Sequence, residues 1–206
     1  MKRLMILSLA ILFLAALVPQ TLSAGVGVKG GYSLSKFALV SSEPPPFTFD
    51  YLPSFVAGLY FDINLGIISI QPEVLYTRMG AKYVEGEDSL QYQFEYVQAP
   101  VLLKINIIPA GPVRPFICGG GYGSYLLKAT GIMVAGGVRS ETDLADTFLK
   151  YDYGVVGGAG LTFRLPGISL SVEGRYNLGL MNIEKDPAAG ESVKNRSIMA
   201  LVGIGF

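Results

Sequence analysis

The sequence predicts an all-β fold, an eight-stranded antiparallel up-and-down transmembrane β-barrel. Three observations carry that reading. Beyond residue 25 the chain alternates apolar with small or polar residues through eight successive stretches, and no apolar run there approaches the ~20 residues a spanning helix needs. The connections between those stretches run long, short, long, short, long, short, long, the rhythm of a barrel with tight turns at one end and loops at the other. The polar faces hold mostly small residues and isolated charges of both signs, not the dense Lys and Glu of a solvated surface.

Composition and the first residues set the compartment. The chain has 26 Gly, 12 Tyr and 11 Phe, with no Trp and no His, which is unusual for a soluble domain. Lys2 and Arg3 precede an apolar run over residues 4–18, and residues 19–24 form a short tail with Leu22 and Ala24 ahead of a cleavage point. That layout marks residues 1–24 as a cleaved signal peptide and residues 25–206 as one barrel domain. The apolar run is too short for a membrane anchor. Cleavage removes two of the 16 basic residues and none of the 16 acidic ones, so the remainder is mildly acidic and offers no nucleic-acid surface. The single Cys118 lies in an apolar, Gly-rich strand and is expected to be a small buried hydrophobe, with no lipid-anchor role.

The first strand, residues 26–37, sets Val28, Tyr32 and Leu34 against Lys29, Gly31, Ser33 and Ser35. Residues 38–53, with Pro44, Pro45, Pro46 and Pro53, are expected to be a long loop, since proline cannot sit in a central ladder. Strand two, residues 54–65, turns at Gly66 into strand three, residues 67–83, where Ile68, Ile70, Val74 and Tyr76 oppose Ser69, Gln71, Glu73 and Thr77. A charged loop over 83–91 leads to strand four, residues 91–107, with Val97, Val101, Leu103 and Ile105 opposing Tyr96, Gln98, Lys104 and Asn106. Strand five spans 114–129, but Gly119, Gly120 and Gly121 leave its register open. A long loop over 130–148 precedes strand six, residues 149–165, and Pro166-Gly167 turns into strand seven, residues 168–180. After a loop over 183–194, the last strand, 195–206, alternates Ile198, Ala200, Val202, Ile204 and Phe206 with Ser197, Met199, Leu201, Gly203 and Gly205. A stretch of ten residues at ~3.3 Å rise, tilted by about 45°, covers roughly 23 Å, close to the ~25 Å apolar band of such barrels.

Alternation alone does not say which face is inside, because a soluble barrel turns its apolar side inward and a membrane barrel turns it to lipid. The sparse charges decide for the second. Lys29, Asp62, Glu73, Lys104, Asp152, Arg164, Glu173 and Arg175 are therefore expected to line the interior as a balanced ion-pair network, since buried charges are costly unless paired. Interior side chains nearly fill a barrel of eight strands, so the lumen should be plugged or very narrow. Tyr32, Phe37, Phe55, Tyr76, Tyr83, Tyr92, Phe94, Tyr151, Tyr153, Phe163, Tyr176 and Phe206 fall toward strand ends and are expected at the two membrane interfaces. With a leader in front, an ending on Phe206 reads as the signal recognised by the outer-membrane barrel assembly machinery.

The order of segments resembles the PorT-like outer-membrane β-barrel family common in Bacteroidetes. The matching stretches are residues 27–35, the Tyr96, Pro100 and Leu103-Lys104 segment, Arg114-Pro115-Phe116 with the glycines that follow, residues 153–160, and residues 173–180. Each is short and Gly-rich, and their order and spacing carry the likeness over nearly all of residues 25–206. The resemblance implies an eight-stranded barrel in the bacterial outer membrane. It implies little about activity, although the named member is linked to protein secretion.

The absence of His excludes imidazole-based triads and metal sites, so no enzyme activity, catalytic residue, metal or cofactor is expected. The Gly runs at 119–123 and 154–160 lack the helix and the Lys-Ser or Lys-Thr pair of a phosphate loop. Glu85, Glu87 and Asp88 read as a solvated acidic loop. The expected partners are outer-membrane lipid, the assembly machinery and periplasmic or extracellular proteins. A scaffold with binding loops at 38–53, 83–91, 130–148 and 183–194 leads the functional readings. A narrow channel for small solutes, a secretion accessory and a soluble lipocalin-like barrel are the alternatives.

Overall fold

A computed structural model describes residues 23–40, 49–86, 88–187 and 191–206. Nearly all of the expected leader, residues 1–22, lies outside them, as do 41–48, Glu87 and 188–190 of the expected loops. Among the described residues nine strands form: β1 (Ser23–Val40), β2 (Asp50–Asn64), β3 (Ile68–Glu85), β4 (Asp88–Asn106), β5 (Val113–Ala135), β6 (Val138–Asp143), β7 (Tyr151–Leu165), β8 (Ile168–Gly179) and β9 (Ser192–Gly205). All are antiparallel to their neighbours. The order β4-β3-β2-β1-β9-β8-β7-β5 closes through β4–β5 pairing into a ring of eight, and β6 hangs on the extension of β5 alone. The turns after β2, β4 and β7 lie at one end, with Ser23 and Phe206 beside them; the long connections lie at the other.

The faces are inside out relative to a soluble barrel. Leu59, Val74, Val101, Val172, Val202 and Ile204 point outward and are exposed, whereas Lys29, Gln71, Glu73, Glu173 and Arg175 are buried within. Inward glycines sit where a Cβ would meet the backbone of a neighbouring strand, as at Gly31 and Gly120, or a large side chain from one. A Cβ on Gly160 would lie 2.6 Å from Phe116 Cζ and 2.7 Å from Glu173 Cβ, and one on Gly27 would collide with the Tyr60 ring. At these inward positions glycine is a volume requirement of the filled interior.

Four sequence expectations need correction. The 83–91 stretch is a hairpin tip, not a loop: β3 and β4 pair out to Glu85 and Asp88, closed by Gly86 at φ +61°. The 130–148 stretch is largely strand, because β5 runs to Ala135 and returns as β6 through Gly136-Gly137, at φ +56° and +77°. That pair is the sequence signature of a two-residue hairpin turn. These extensions stand beyond the apolar band, where both faces meet water, and so carry no period-two signal.

Pro53 lies inside β2, not in the preceding loop. The β2–β3 register slips by one residue between Tyr51 and Val56, and the bulge tolerates the missing N–H. Side chains complete the seam. Ser35 Oγ accepts from Gly80 N at 2.9 Å, and Ser54 Oγ donates to Arg78 O at 2.7 Å.

The fourth correction concerns aromatics. Tyr32, Phe55, Tyr76, Tyr151, Tyr153 and Tyr176 lie outward on the loop-side half, with Phe163 and Phe206 outward near the turns. Phe37 and Phe94 instead face the interior and are buried, with Tyr92 packed against them, because their positions share the inward parity of Ser35 and Tyr96.

Candidate functional site: the ion-paired lumen and its two mouths

Four of the eight expected interior charges meet at the middle of the barrel. Lys29 comes from β1, Glu73 from β3, and Glu173 and Arg175 from alternate positions of β8. Lys29 Nζ lies 2.8 Å from Glu73 Oε1 and 2.7 Å from Glu173 Oε1; Arg175 closes the cycle at 2.6 Å to Glu73 Oε2 and 2.5 Å to Glu173 Oε1. Every side chain in this quartet is at most 1% exposed. Two cations and two anions alternate around the cycle, so its formal charge is zero. That balance is what makes four buried ions tolerable.

Lys104 is attached at one remove. Its ammonium donates to Gln71 Oε1 at 2.9 Å and lies 4.0 Å from the Phe116 ring centroid, and Gln71 Nε2 donates in turn to Glu73 Oε1. Asp152 stands apart toward the loop end, where it accepts from Asn195 Nδ2 at 2.9 Å, and Asn195 also donates to the Tyr96 hydroxyl at 3.3 Å. The remaining two are corrections: Asp62 is only half-buried at the turn-end mouth, and Arg164 is exposed there. Both face inward beyond the filled section, where Arg164 reaches water while one carboxylate oxygen of Asp62 is shielded without a hydrogen-bond partner among the described residues. Gln71 and Asn195 were not singled out from sequence because they are uncharged; their inward parity was the available signal.

Above the quartet the lumen is filled by an apolar layer that includes Phe37, Leu75, Met79, Phe94, Phe148 and Met199. Phe94 packs on Phe148 at 4.6 Å and on Phe37 at 5.5 Å between ring centroids. On the β4–β5–β7 wall, Leu102, Phe116, Cys118, Tyr122 and Val156 form a second cluster, in which Cys118 is a free, buried thiol. Each mouth holds a cavity. The one at the turn end, about 320 Å³, is lined by polar groups including Asp62, Asn64, Arg164 and Ser169. The one at the loop end, about 300 Å³, is lined mainly by apolar side chains. Among the described residues no three His, Cys, Asp or Glu side chains gather into a metal-ligating group.

A closed antiparallel ring with a lipid-compatible exterior and a filled, ion-paired interior defines the class: an integral outer-membrane β-barrel. The chain matches the outer membrane protein β-barrel domain family over residues 19–185 and belongs to it, and it resides in the bacterial outer membrane. Two solved structures share the architecture. The Neisserial surface protein A (NspA) is 16% identical, with 89% of this chain and 97% of that one covered at a TM-score of 0.50. The outer membrane protein OprG from Pseudomonas aeruginosa is 11% identical, with 89% and 96% covered at 0.55. The Escherichia coli outer membrane protease OmpT also matches, at 11% identity, 89% and 96% coverage and 0.47. A search of curated proteins finds no match. Likenesses at this level concern the fold, and a fold by itself does not decide between catalysis and binding.

Proposed function

We propose that this protein is a non-enzymatic scaffold whose plugged barrel holds a binding surface at the outer face of the membrane. The observation that carries the reading is the Lys29–Glu73–Arg175–Glu173 cycle, backed by the Phe37–Phe94–Phe148 layer. Together these occupy the space a solute would need to cross. The strand extensions β3–β4 and β5–β6 support it, since they stand beyond the apolar band on the side opposite the turns. By the rule for such barrels the turn end is periplasmic. The reading includes cleavage after Ala24 by signal peptidase and insertion by the barrel assembly machinery through the strand ending at Phe206.

The test is electrical. Purified protein in planar bilayers should show conductance indistinguishable from the lipid baseline, whereas sustained open-pore steps would overturn the scaffold reading in favour of a narrow channel. An accessory role in secretion, suggested by the PorT-like resemblance, is the second reading. The polar turn-end mouth with Asp62 and Arg164 favours it, and reproducible co-purification of a periplasmic partner, lost in Arg164→Glu, would support it.

A further inference from the structure

The loop-end cavity is unusual for its position. The interior mouth of a membrane barrel ordinarily meets water with polar side chains, yet this one presents Phe37, Leu39, Phe49, Tyr92, Leu144 and Phe148 around about 300 Å³. It lies on the buried apolar layer, which closes its floor. Short backbone pairing shapes its rim. Leu149 N donates to Ile183 O at 2.8 Å, Lys185 N donates to Thr147 O at 3.2 Å, and Phe148 bridges to Glu184. That pairing places Glu184 at the cavity edge, half-buried, and among the described residues no hydrogen bond or ion pair reaches its carboxylate.

From this geometry we infer that the loop-end cavity is a binding site for a small organic cation with an apolar body, whose rings or chain fill the aromatic pocket while its ammonium pairs with Glu184. Wetted apolar surface in a concave site gains free energy when an apolar body displaces the water, and the volume is at the lower bound of the ~300–1,000 Å³ range of small-molecule sites. Aromatic faces attract cations and repel anions, and Phe49 and Tyr92, 6.0 Å apart between ring centroids, stand on this wall. The carboxylate then selects a cationic head. The inference deepens the scaffold reading by naming a ligand class for its outer face, and it rests on that reading only for the side of the membrane from which the ligand enters.

The test uses the full barrel in lipid nanodiscs, with empty nanodiscs subtracted to remove partitioning into lipid. Three probes share one ring system: 1-naphthylmethylamine, 1-naphthylmethanol and 1-naphthoic acid. Titration calorimetry should show saturable binding of the amine, about fivefold or more tighter than the alcohol, with the acid weakest. Glu184→Gln should bring amine and alcohol to similar affinity, and Leu39→Asn, which puts a neutral polar group on the wall, should weaken all three. Heat-modifiable gel mobility of each variant checks that the barrel is folded. Binding no greater than in empty nanodiscs, or an amine preference that persists in Glu184→Gln, would overturn the inference. Bilayer conductance is measured separately, so a conducting barrel that binds the amine would sink the scaffold reading and leave the site standing.

Discussion

Glu73→Gln tests whether the centre of this barrel depends on charge balance. Glu73 meets Lys29 Nζ at 2.8 Å and both terminal nitrogens of Arg175 at 2.6 Å, whereas Glu173 makes one contact to each cation. Neutralising Glu73 leaves two cations on one carboxylate, in a place where no side chain of the quartet is more than 1% exposed. Removing one partner of a buried pair costs ~3–5 kcal/mol because a charge is left uncompensated. The lower part of that range applies, since Gln keeps an acceptor oxygen and Lys29 Nζ already lies 5.0 Å from the Tyr60 ring centroid. The expected loss is about 3 kcal/mol. It is read from urea titration in lipid vesicles, with the folded fraction followed by heat-modifiable gel mobility. The double variant Glu73→Gln/Lys29→Met restores neutrality, so the two changes should be less costly together than in sum, by ~1–3 kcal/mol. A single variant within ~0.5 kcal/mol of wild type, or a coupling near zero, would refute the claim that balance holds the quartet.

Other perturbations probe different features of the same barrel. Ser35→Ala removes the acceptor of Gly80 N at the β2 bulge and should cost about 1–3 kcal/mol in the same titration. Gly160→Ala would place a methyl against the Val172 carbonyl oxygen and 2.6 Å from Phe116 Cζ, and overpacking of that kind should cost roughly 1–3 kcal/mol. Val172→Arg, on the outward face near the middle of β8, should destabilise the vesicle-embedded protein by about 2–4 kcal/mol; a neutral result would contradict a lipid-facing surface there. Cys118 should react slowly with a maleimide in the folded protein and rapidly in urea, which mass spectrometry would read directly.

Much of this architecture is legible in the sequence. Where a strand has one face in lipid and the other in a packed lumen, the period of two is strong, so Val172, Glu173 and Arg175 announce their sides. Past the apolar band the signal fades because both faces meet water, which hid the outer reaches of β3, β4, β5 and β6. The Gly136-Gly137 pair is the one local mark of the β5–β6 turn in that stretch. Parity also carried information that aromatic identity obscured: Phe37 and Phe94 share the inward side of their strands, and counting positions places them inside where interface preference alone does not. At Gly119–Gly121 neither face had a side chain to read, and the pairing of Gly120 with Leu102 and Val156 settles the register.

Local alternation, read together with the sparse charges of both signs, determined that the chain forms antiparallel membrane strands, where the tight turns of one end fall, and that those charges share the small-residue face. Only tertiary structure decided which of those charges meet. Lys29 and Glu173 are 144 residues apart in sequence, and they touch because ring closure and stagger set the height of each strand against the others. Period-two patterning reports the side of a residue and carries nothing about its height, so Lys29, Glu73, Glu173 and Arg175 become a quartet while Arg164, with the same parity, is left in water.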